Sequence, residues 1–278
     1  MLAVLLSLSC SLVWGVGDYL GGMQTRRNPV VAVMAISQTA GLLGVVLALV
    51  LHGEGPPPLL DLWPAVVAGL LGLCALSAFY YALAVGTISI VAPIAATSAA
   101  VPVIAGIVLG ERPGPLQGAG LLAALVGVVL ASREPGAHPA EGAARRAVPL
   151  ALAAALLLGL ALIALHGARD SHLLWVLVTA RATSVPLLLL GCLILRPRVV
   201  RADVPVMLVI GVADTAATGL FVAATTFGPL AVVSVLSSLY PVVTVGLAQL
   251  RLGERIGRVQ GAGVALALLG VGVLTATA

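Results

Sequence analysis

Three ionisable residues lie inside long apolar segments of this sequence. Asp18 follows "LVWGVG", Arg181 lies in "VTARATSV", and Asp214 lies in "IGVADTAA". A charged side chain at the centre of a bilayer costs about 2.5–3.5 kcal/mol on insertion scales, and such groups usually face a wet interior and pair with one another. One arginine can neutralise one carboxylate, so a second carboxylate is left over. Desolvation favours the protonated form of that carboxylate, which could then exchange protons.

The roles within this charged group stay open at the level of sequence. Asp214 is the first candidate for the proton carrier because it lies near the middle of its segment. Asp18 lies nearer to one end, from which a side chain can reach the interface. Arg181 either binds a negative group on a substrate or serves as partner of the carboxylates. The structural alternative is that all three residues only join helices through a salt bridge and hydrogen bonds.

Polar and aromatic side chains in the same segments are further candidates for a binding site. Trp14 precedes Asp18 by one helical turn, and Gln38 lies inside the second apolar segment. In "SSLYP", the proline ring of Pro241 leaves a carbonyl near Ser237 without its helical partner. The candidate substrate- or ion-binding residues are Asp18, Arg181, Asp214, Trp14, Gln38, Tyr80, Tyr240 and Ser237.

The composition is that of a multi-pass membrane protein. The chain is 61% hydrophobic and 9% charged, whereas soluble domains are about 45–50% apolar and about 25% charged. The basic residues are all arginines, and they are scattered over short connections, so we expect no nucleic-acid partner. The three cysteines, Cys10, Cys74 and Cys192, fall within apolar segments, which argues against disulfides and a metal site. We expect no metal and no cofactor.

Ten apolar segments are long enough to span a bilayer as helices, which takes about 20 residues. The predicted spans are 2–22, 30–51, 64–85, 89–109, 115–132, 148–166, 173–195, 204–225, 230–251 and 259–276. The connections are short and rich in Gly, Pro and charge. The one long connection divides the chain nearly in half. We therefore predict a first five-helix repeat over 1–132, a connecting loop over 133–147, and a second repeat over 148–278.

The two halves repeat each other in sequence. "LGERPGPLQGAG" at 109–120 and "LGERIGRVQGAG" at 252–263 are identical at 9 of 12 positions, and both lie between the fourth and fifth spans of their half. Because five is an odd number, the second half must enter the membrane in the opposite direction. Such inverted repeats are typical of secondary transporters, whose substrate sites lie near the midplane between the halves. The fold class is therefore predicted to be an all-α integral membrane protein of two inverted five-helix repeats.

Small residues recur on one face of the fifth and tenth spans. Gly120, Ala124 and Gly127 follow each other at helical spacing, and Gly263, Ala267 and Gly270 repeat that pattern. Small faces let helix backbones approach closely. They predict packing either within the chain or between two copies, so the protein is a monomer or a homodimer formed through these two helices.

The arginines of the connections are distributed unevenly. The odd-numbered connections hold 11 of them, whereas the even-numbered connections and both termini hold only Arg112 and Arg169. Cytoplasmic connections carry the excess of basic residues, so this count places both termini outside. We find no GxSxG, HExxH or P-loop pattern, and we expect no enzymatic activity.

The chain resembles the EamA type of the drug/metabolite transporter superfamily over essentially its whole length. "WGVGDYLGG" is similar to the opening of the first helix in one bacterial branch, and "SSLYPVVTV" before "LGER" is similar to the ninth helix. One departure is Ser98, which stands where the second half has Pro241. The resemblance implies transport of small metabolites or drugs across the cell membrane, driven by a proton or cation gradient. It also implies cytoplasmic termini, opposite to the arginine count. The rival hypothesis is a structural or lipid-handling membrane protein that transports nothing.

Overall fold

The fold is all-helical over the part of the chain that the structure describes. The structure is a computed structural model, and it describes residues 1–85, 91, 94–95, 97–131, 141–240, 242–244, 246–247 and 257–277. The α-helices in these ranges are α1 (Leu2–Thr25), α2 (Val30–His52), α3 (Trp63–Val85), α4 (Ala100–Val108), α5 (Pro115–Ala131), α6 (Glu141–Gly167), α7 (Leu173–Leu195), α8 (Val204–Phe227), α9 (Leu230–Ser237) and α10 (Arg258–Thr277). Short 3-10 turns cover Leu59–Leu62, Thr97–Ala99 and Arg201–Asp203.

The helices follow the predicted apolar segments closely. Most of the observed ends lie within three residues of the predicted ones. Within the described residues, six helices are long and apolar enough to cross a membrane, namely those of the first, second, third, sixth, seventh and eighth predicted spans. The multi-pass character is therefore confirmed. The helices of the other four spans are not among these six, so the count of ten spans stays a prediction.

The start of α6 differs from its prediction. The predicted connecting loop runs to residue 147, but the helix begins at Glu141 and contains Pro149 in its first third. Proline inside a helical pattern usually marks a helix end or a kink, which is why the sequence places this boundary too late. The preceding residues, "EGAARRAV", are mostly good helix formers. The side chains of residues 141–146 lie outside the described part.

The two halves interleave, because helices of one half pack on helices of the other. The pair α1 and α8 packs together, and so does its counterpart, α6 and α3. The pair α2 and α8 likewise matches α7 and α3. Three further contacts join each helix to its own counterpart: α2 to α7, α4 to α9, and α5 to α10. This pattern is that of a pseudo-twofold axis between the halves.

Contacts between the connections show that equivalent helices run in opposite directions. At the start of α2, Asn28 Nδ2 donates to Asp203 Oδ2 at 2.9 Å, and Asn28 Oδ1 accepts from the backbone nitrogen of Val200, both in the connection that follows the end of α7. At the end of α2, Trp175 Nε1 donates to the carbonyl oxygen of Glu54 at 3.3 Å, just after α7 has begun. Helices α2 and α7 are thus antiparallel neighbours, as an inverted repeat requires.

Glycines allow the close crossings between the halves. A Cβ atom on Gly211 of α8 would clash with the carbonyl oxygen of Ser37 on α2, and a Cβ atom on Gly69 of α3 would clash with that of Ala180 on α7. Ser37 and Ala180 directly precede Gln38 and Arg181. The two crossings therefore fix the backbone beside two of the predicted site residues.

The small faces of α5 and α10 pack against each other within the chain. A Cβ atom on Gly127 would meet the backbone of Ala267 and Gly263, and a Cβ atom on Gly270 would lie 2.5 Å from the backbone nitrogen of Ala124. The structure thus uses these faces for the intramolecular contact. The homodimer stays a prediction.

The outside of the helix bundle is apolar. Leu43, Leu47 and Leu51 follow one another at one-turn spacing on α2 and are 64%, 60% and 75% exposed. Contiguous exposed apolar surface of this kind marks contact with a membrane or a partner. Together with the spans, it indicates that lipid surrounds the bundle.

Candidate functional site

A cavity lies between the two halves at the centre of the bundle. Its empty volume is about 1060 Å³, counted to its open boundary. Helices α1, α2 and α3 line it from the first half, and α6, α7 and α8 from the second, together with Ser98 and Tyr240. Most of the wall is Leu, Ala and Gly. The ionisable Asp, Glu, Arg and His residues that line it are Asp18, Arg181 and Asp214.

The depth of the cavity follows from the register of its lining residues. Leu165 and Leu177 lie near the ends of α6 and α7 that the short connection between them joins. Met34 and Leu188 line it nearer to the opposite ends of α2 and α7. The cavity therefore reaches from close to one end of the bundle past its middle, which is where the polar side chains are found.

Arg181 forms an ion pair with Asp214. Its Nη2 lies 2.7 Å from Asp214 Oδ2, and the two side chains are 11% and 24% exposed. Arg181 Nη1 also donates to Gln38 Oε1, and Nη2 lies 3.4 Å from the hydroxyl oxygen of Thr218. The guanidinium is thus buried and held by three side chains from α2 and α8.

Asp214 accepts hydrogen bonds on both carboxylate oxygens. Oδ1 accepts from Trp14 Nε1 at 3.1 Å, and Oδ2 accepts from Gln38 Nε2 at 3.2 Å in addition to Arg181. The donors come from α1, α2 and α7, so one carboxylate on α8 joins four helices from both halves.

Gln38 bridges the ion pair. Its carbonyl oxygen accepts from Arg181, while its amide nitrogen donates to Asp214. A side-chain amide can do both at once because it carries an acceptor and two donors. Gln38 is 6% exposed, so this bridge is shielded from solvent.

Asp18 lies in the cavity without such partners. It lines the central cavity and a smaller adjoining pocket, and both spaces also contact Trp14, Gln38 and Asp214. Within the described residues, no hydrogen bond or salt bridge to its carboxylate is found. Of the two carboxylates, Asp214 is therefore the one paired with Arg181, and Asp18 is the one left over.

This pairing reverses the order of the candidates that helix position suggested. Depth within the span made Asp214 the first candidate for the spare carboxylate. In the three-dimensional arrangement the spare carboxylate is instead Asp18, because Arg181 on α7 and Gln38 on α2 both contact Asp214 on α8. The role of each residue in transport stays a prediction.

Aromatic rings lie beside Asp18. Trp14, one turn earlier on α1, lines the cavity with its indole held by Asp214. Its ring centroid lies 6.4 Å from that of Tyr240 in an edge-to-face arrangement and 6.1 Å from that of Phe221. Tyr240 also faces the cavity, and Phe79 contributes another ring.

Two candidates lie away from the central cavity. Tyr80 is buried and lines only the smaller pocket beside Asp18. Ser237, the last residue of α9, is fully buried, and its hydroxyl lies beside the thiol of the buried Cys10. It does not line the cavity. Pro241, whose effect on its helix was predicted, lies outside the described residues.

Two features of the site escaped the sequence analysis. Thr218 lies one turn after Asp214, donates to the Asp214 backbone carbonyl at 2.8 Å, and faces Arg181. Its spacing of four residues from Asp214 was a usable signal. The apolar wall, with Met34, Phe79 and Leu188, carried no such signal, because lipid-facing and cavity-facing leucines look alike in sequence.

Glu111 of the repeated "LGER" segment has a separate position. Its carboxylate oxygens accept from the backbone nitrogens of Leu230 at 2.5 Å and Ala231 at 3.0 Å. It therefore caps the first turn of α9, whose backbone N–H groups lack partners within the helix. The corresponding Glu254 lies outside the described residues.

Comparison with known proteins identifies the architecture. The family model described as "EamA-like transporter family" matches residues 1–133 and 145–276. A solved crystal structure of a protein is similar to this chain with a TM-score of 0.84, covering 99% of each chain at 21% identity. At that identity the likeness shows the fold alone. No curated protein matches the sequence.

Proposed function

Because the chain belongs to the EamA-like transporter family, we propose that it is a secondary active transporter that carries small organic molecules across the cytoplasmic membrane by alternating access. The family membership confirms the resemblance of the sequence motifs. It establishes a multi-pass membrane protein of a transporter family. The mechanism, the coupling and the substrate class belong to the proposal.

The observation that supports the proposal is the position of the central cavity. Both halves of the inverted repeat line it, and the buried ion pair of Arg181 and Asp214 lies on its wall. In inverted-repeat transporters the substrate binds between the halves, and rocking of one half against the other changes the side from which the site is reached. The contacts across this cavity would then have to rearrange.

Polar contacts at both ends of the bundle fit such a cycle. At one end Asn28 and Asp203 join the connections before α2 and before α8. At the other end His172 Nδ1 lies 3.4 Å from Glu54 Oε2. The pair of His172 and Glu54 is partly exposed, and exposed ion pairs contribute little net stability. The hydrogen bond between Asn28 and Asp203 is buried. Alternating access requires the contacts at one end to break while those at the other end form.

Coupling to protons is assigned to Asp18 in this proposal. Among the residues that the structure describes, its carboxylate has no arginine partner in the cavity, whereas Asp214 is paired with Arg181. A carboxylate in a site that opens alternately to the two sides can take up a proton on one side and release it on the other. Arg181 then acts as the fixed partner of Asp214. The alternative, in which Arg181 binds an anionic group of the substrate, would require that ion pair to open.

Cysteine accessibility tests the proposal against a non-transporting membrane protein. In a variant in which Cys10, Cys74 and Cys192 are replaced by alanine, Ala161→Cys places a thiol on the cavity wall. We expect a membrane-impermeant maleimide to label it in right-side-out and in inverted vesicles. Leu269→Cys, on the lipid-facing side of α10 and 67% exposed, is the control that should stay unlabelled in both. Labelling of Ala161→Cys from one side only, or from neither, contradicts alternating access and favours the structural or lipid-handling role.

A further inference from the structure

We infer that the central cavity binds organic monocations with an apolar body, and that Asp18 is the counter-ion for which such a cation and a proton compete. This inference deepens the proposed function and rests on it. It concerns the chemical class of the substrate, which neither the family nor the solved structure supplies.

The charge of the cavity is the first argument. Asp18, Asp214 and Arg181 together carry one net negative charge when all three are ionised. An isolated charge in apolar surroundings is costly unless it is paired. The occupied cavity is therefore stabilised by one additional positive charge, which is either a proton on Asp18 or a cation next to it.

The position of Arg181 argues against anions and zwitterions. A carboxylate-bearing substrate needs a free cationic group, but the guanidinium is already bound to Asp214 and Gln38 and only 11% of the side chain is exposed. An anion would also meet the net negative charge of the site. A substrate with a single positive charge meets neither obstacle.

The wall of the cavity argues against a metal ion. Metal sites such as those of Mg²⁺ or Ca²⁺ need several oxygen ligands around the ion. In the described part of the chain, no group of three His, Cys, Asp or Glu side chains is positioned to hold a metal ion. The wall of the cavity is instead largely apolar, with Leu76 on α3 and Ala161 and Leu162 on α6, which suits the body of an organic molecule.

The aromatic rings beside Asp18 provide the second attraction for an organic cation. Trp14 lies one turn from Asp18 on the same helix, and Tyr240 meets the Trp14 ring edge-to-face. Cations are attracted to the faces of such rings, most strongly to tryptophan. The hydrogen bond from Trp14 Nε1 to Asp214 holds the indole in place. A carboxylate and a fixed indole on one helix face form a recognisable site for an ammonium or phosphonium group.

Competition with protons follows from the isolation of Asp18. The titratable groups around it are Asp214 of α8, Arg181 of α7, Tyr80 of α3, and Tyr240 beyond α9. The tyrosines are neutral at physiological pH, and Arg181 compensates Asp214. Binding of a monocation to a protonated Asp18 must therefore release that proton, so charge is conserved in the exchange. Release of protons on one side of the membrane and their uptake on the other would couple the flux of protons to the flux of the organic cation.

The test measures binding of tetraphenylphosphonium to the purified full-length protein. We expect affinity to fall as the solution is made more acidic, and binding to release protons into a weakly buffered solution. Asp18→Asn should weaken binding by about tenfold or more and abolish both the pH dependence and the proton release. Asp18→Glu should keep the affinity, the pH dependence and the proton release of the wild type. The control is Asp170→Asn, a surface carboxylate with an 84% exposed side chain, which should behave as the wild type.

Competition by other ligands completes the test. Benzoate and phenylalanine, an anion and a zwitterion, should not displace tetraphenylphosphonium. Displacement by either one, binding that is independent of pH in the wild type, or wild-type affinity in Asp18→Asn would overturn the inference. The wild-type pH dependence and proton release decide the question even if Asp18→Asn fails to fold. If tetraphenylphosphonium does not bind while Ala161→Cys is still labelled from both sides, the substrate class is wrong and alternating access stands.

Discussion

Gln38 and Arg181 occupy the same position in the two repeats, and their side chains are hydrogen-bonded to each other. They are 143 residues apart, which is also the distance between the two "LGER" segments at 109 and 252. Residues related by a pseudo-twofold axis can touch only close to that axis. The pair therefore marks the axis inside the cavity. The second repeat has an arginine where the first has a glutamine, so a positive charge lies next to the axis. Asp214 provides the opposite charge.

The first prediction concerns the ion pair. Arg181→Gln restores the symmetric pair of glutamines but leaves Asp214 buried without its cation. We expect a loss of about 3 kcal/mol, at the low end of values for broken buried pairs because Asp214 is partly exposed. The double variant Arg181→Gln, Asp214→Asn should recover part of this loss. The melting temperatures of the single and double variants in detergent measure it.

The control for this pair is Arg169→Gln. Arg169 lies 3.7 Å from the exposed Asp170, and its Nη1 also contacts His166 at 2.8 Å near the surface; exposed ion pairs contribute about 0–1 kcal/mol. Its loss should hardly change the melting temperature. If Arg181→Gln is as stable as this control, the ion pair does not stabilise the fold.

The second prediction concerns how replacing each of the two carboxylates changes the stability of the fold. Asp18→Asn removes a negative charge that has no described partner, so its melting temperature should equal or exceed that of the wild type. Asp214→Asn replaces one of two occupied acceptor oxygens by an NH2 group and leaves Arg181 without its counter-ion, so it should lower the melting temperature. Thermal unfolding of the two purified variants makes the comparison. An equal decrease in both would mean that Asp18 has a stabilising partner.

The third prediction concerns the cap on α9. Glu111→Gln keeps one carbonyl acceptor but loses the negative charge at the start of the helix. We expect a loss of about 1 kcal/mol, typical of N-caps and of charges at helix ends. The matched control is the neighbouring Arg112→Gln, since Arg112 is exposed. Melting temperatures that fall equally for both variants would contradict a specific capping role.

The fourth prediction concerns the packing of α5 against α10. Gly270→Ala adds a methyl group against the backbone of Ala124 and Gly120, and overpacking of this kind costs about 1–3 kcal/mol. Gly272, two residues later on the same helix, has nothing within 4 Å of an added Cβ. Gly272→Ala should be neutral or stabilising, because alanine is the better helix former. Thermal melting of the two variants tests this, and a stable Gly270→Ala protein would contradict the close packing.

The fifth prediction concerns orientation. The excess of arginines on the odd-numbered connections predicts that both termini lie outside the cytoplasm. A reporter that is active only outside, fused after Ala278, should then be active. A reporter active only in the cytoplasm, fused at the same point, is its complement. Activity of the cytoplasmic reporter alone would support the family's orientation and refute the arginine count.

The helices could be predicted because each membrane span is recognisable from its own residues. Each span must be about 20 apolar residues long, and the breaks between spans need Gly, Pro and charge. The bounds of α2 and α7 therefore follow from the sequence almost to the residue. The start of α6 could not be predicted in this way, since Pro149 is tolerated inside a helix that the local pattern would end.

The candidate site was only partly predictable. Its charged members were conspicuous because charge is rare in apolar segments, and Asp18, Arg181, Asp214, Trp14, Gln38 and Tyr240 all line the cavity. Ser237 was proposed from a proline effect on the local backbone, yet it faces the packed interior. Which face of α9 meets the cavity depends on its neighbours, and no local pattern in "SVLSSLYP" records it.

The sequence by itself determined that this chain crosses a membrane in two related halves, and that two carboxylates and one arginine are buried there. Those facts follow from composition and repeats, which are properties of single segments. Only the tertiary structure decided that Arg181 pairs with Asp214 and that Asp18 has no ion-pair partner among the described residues. Pairing depends on which helices cross and at what height, and the crossings are set by contacts such as Gly211 with Ser37, between residues far apart in the chain.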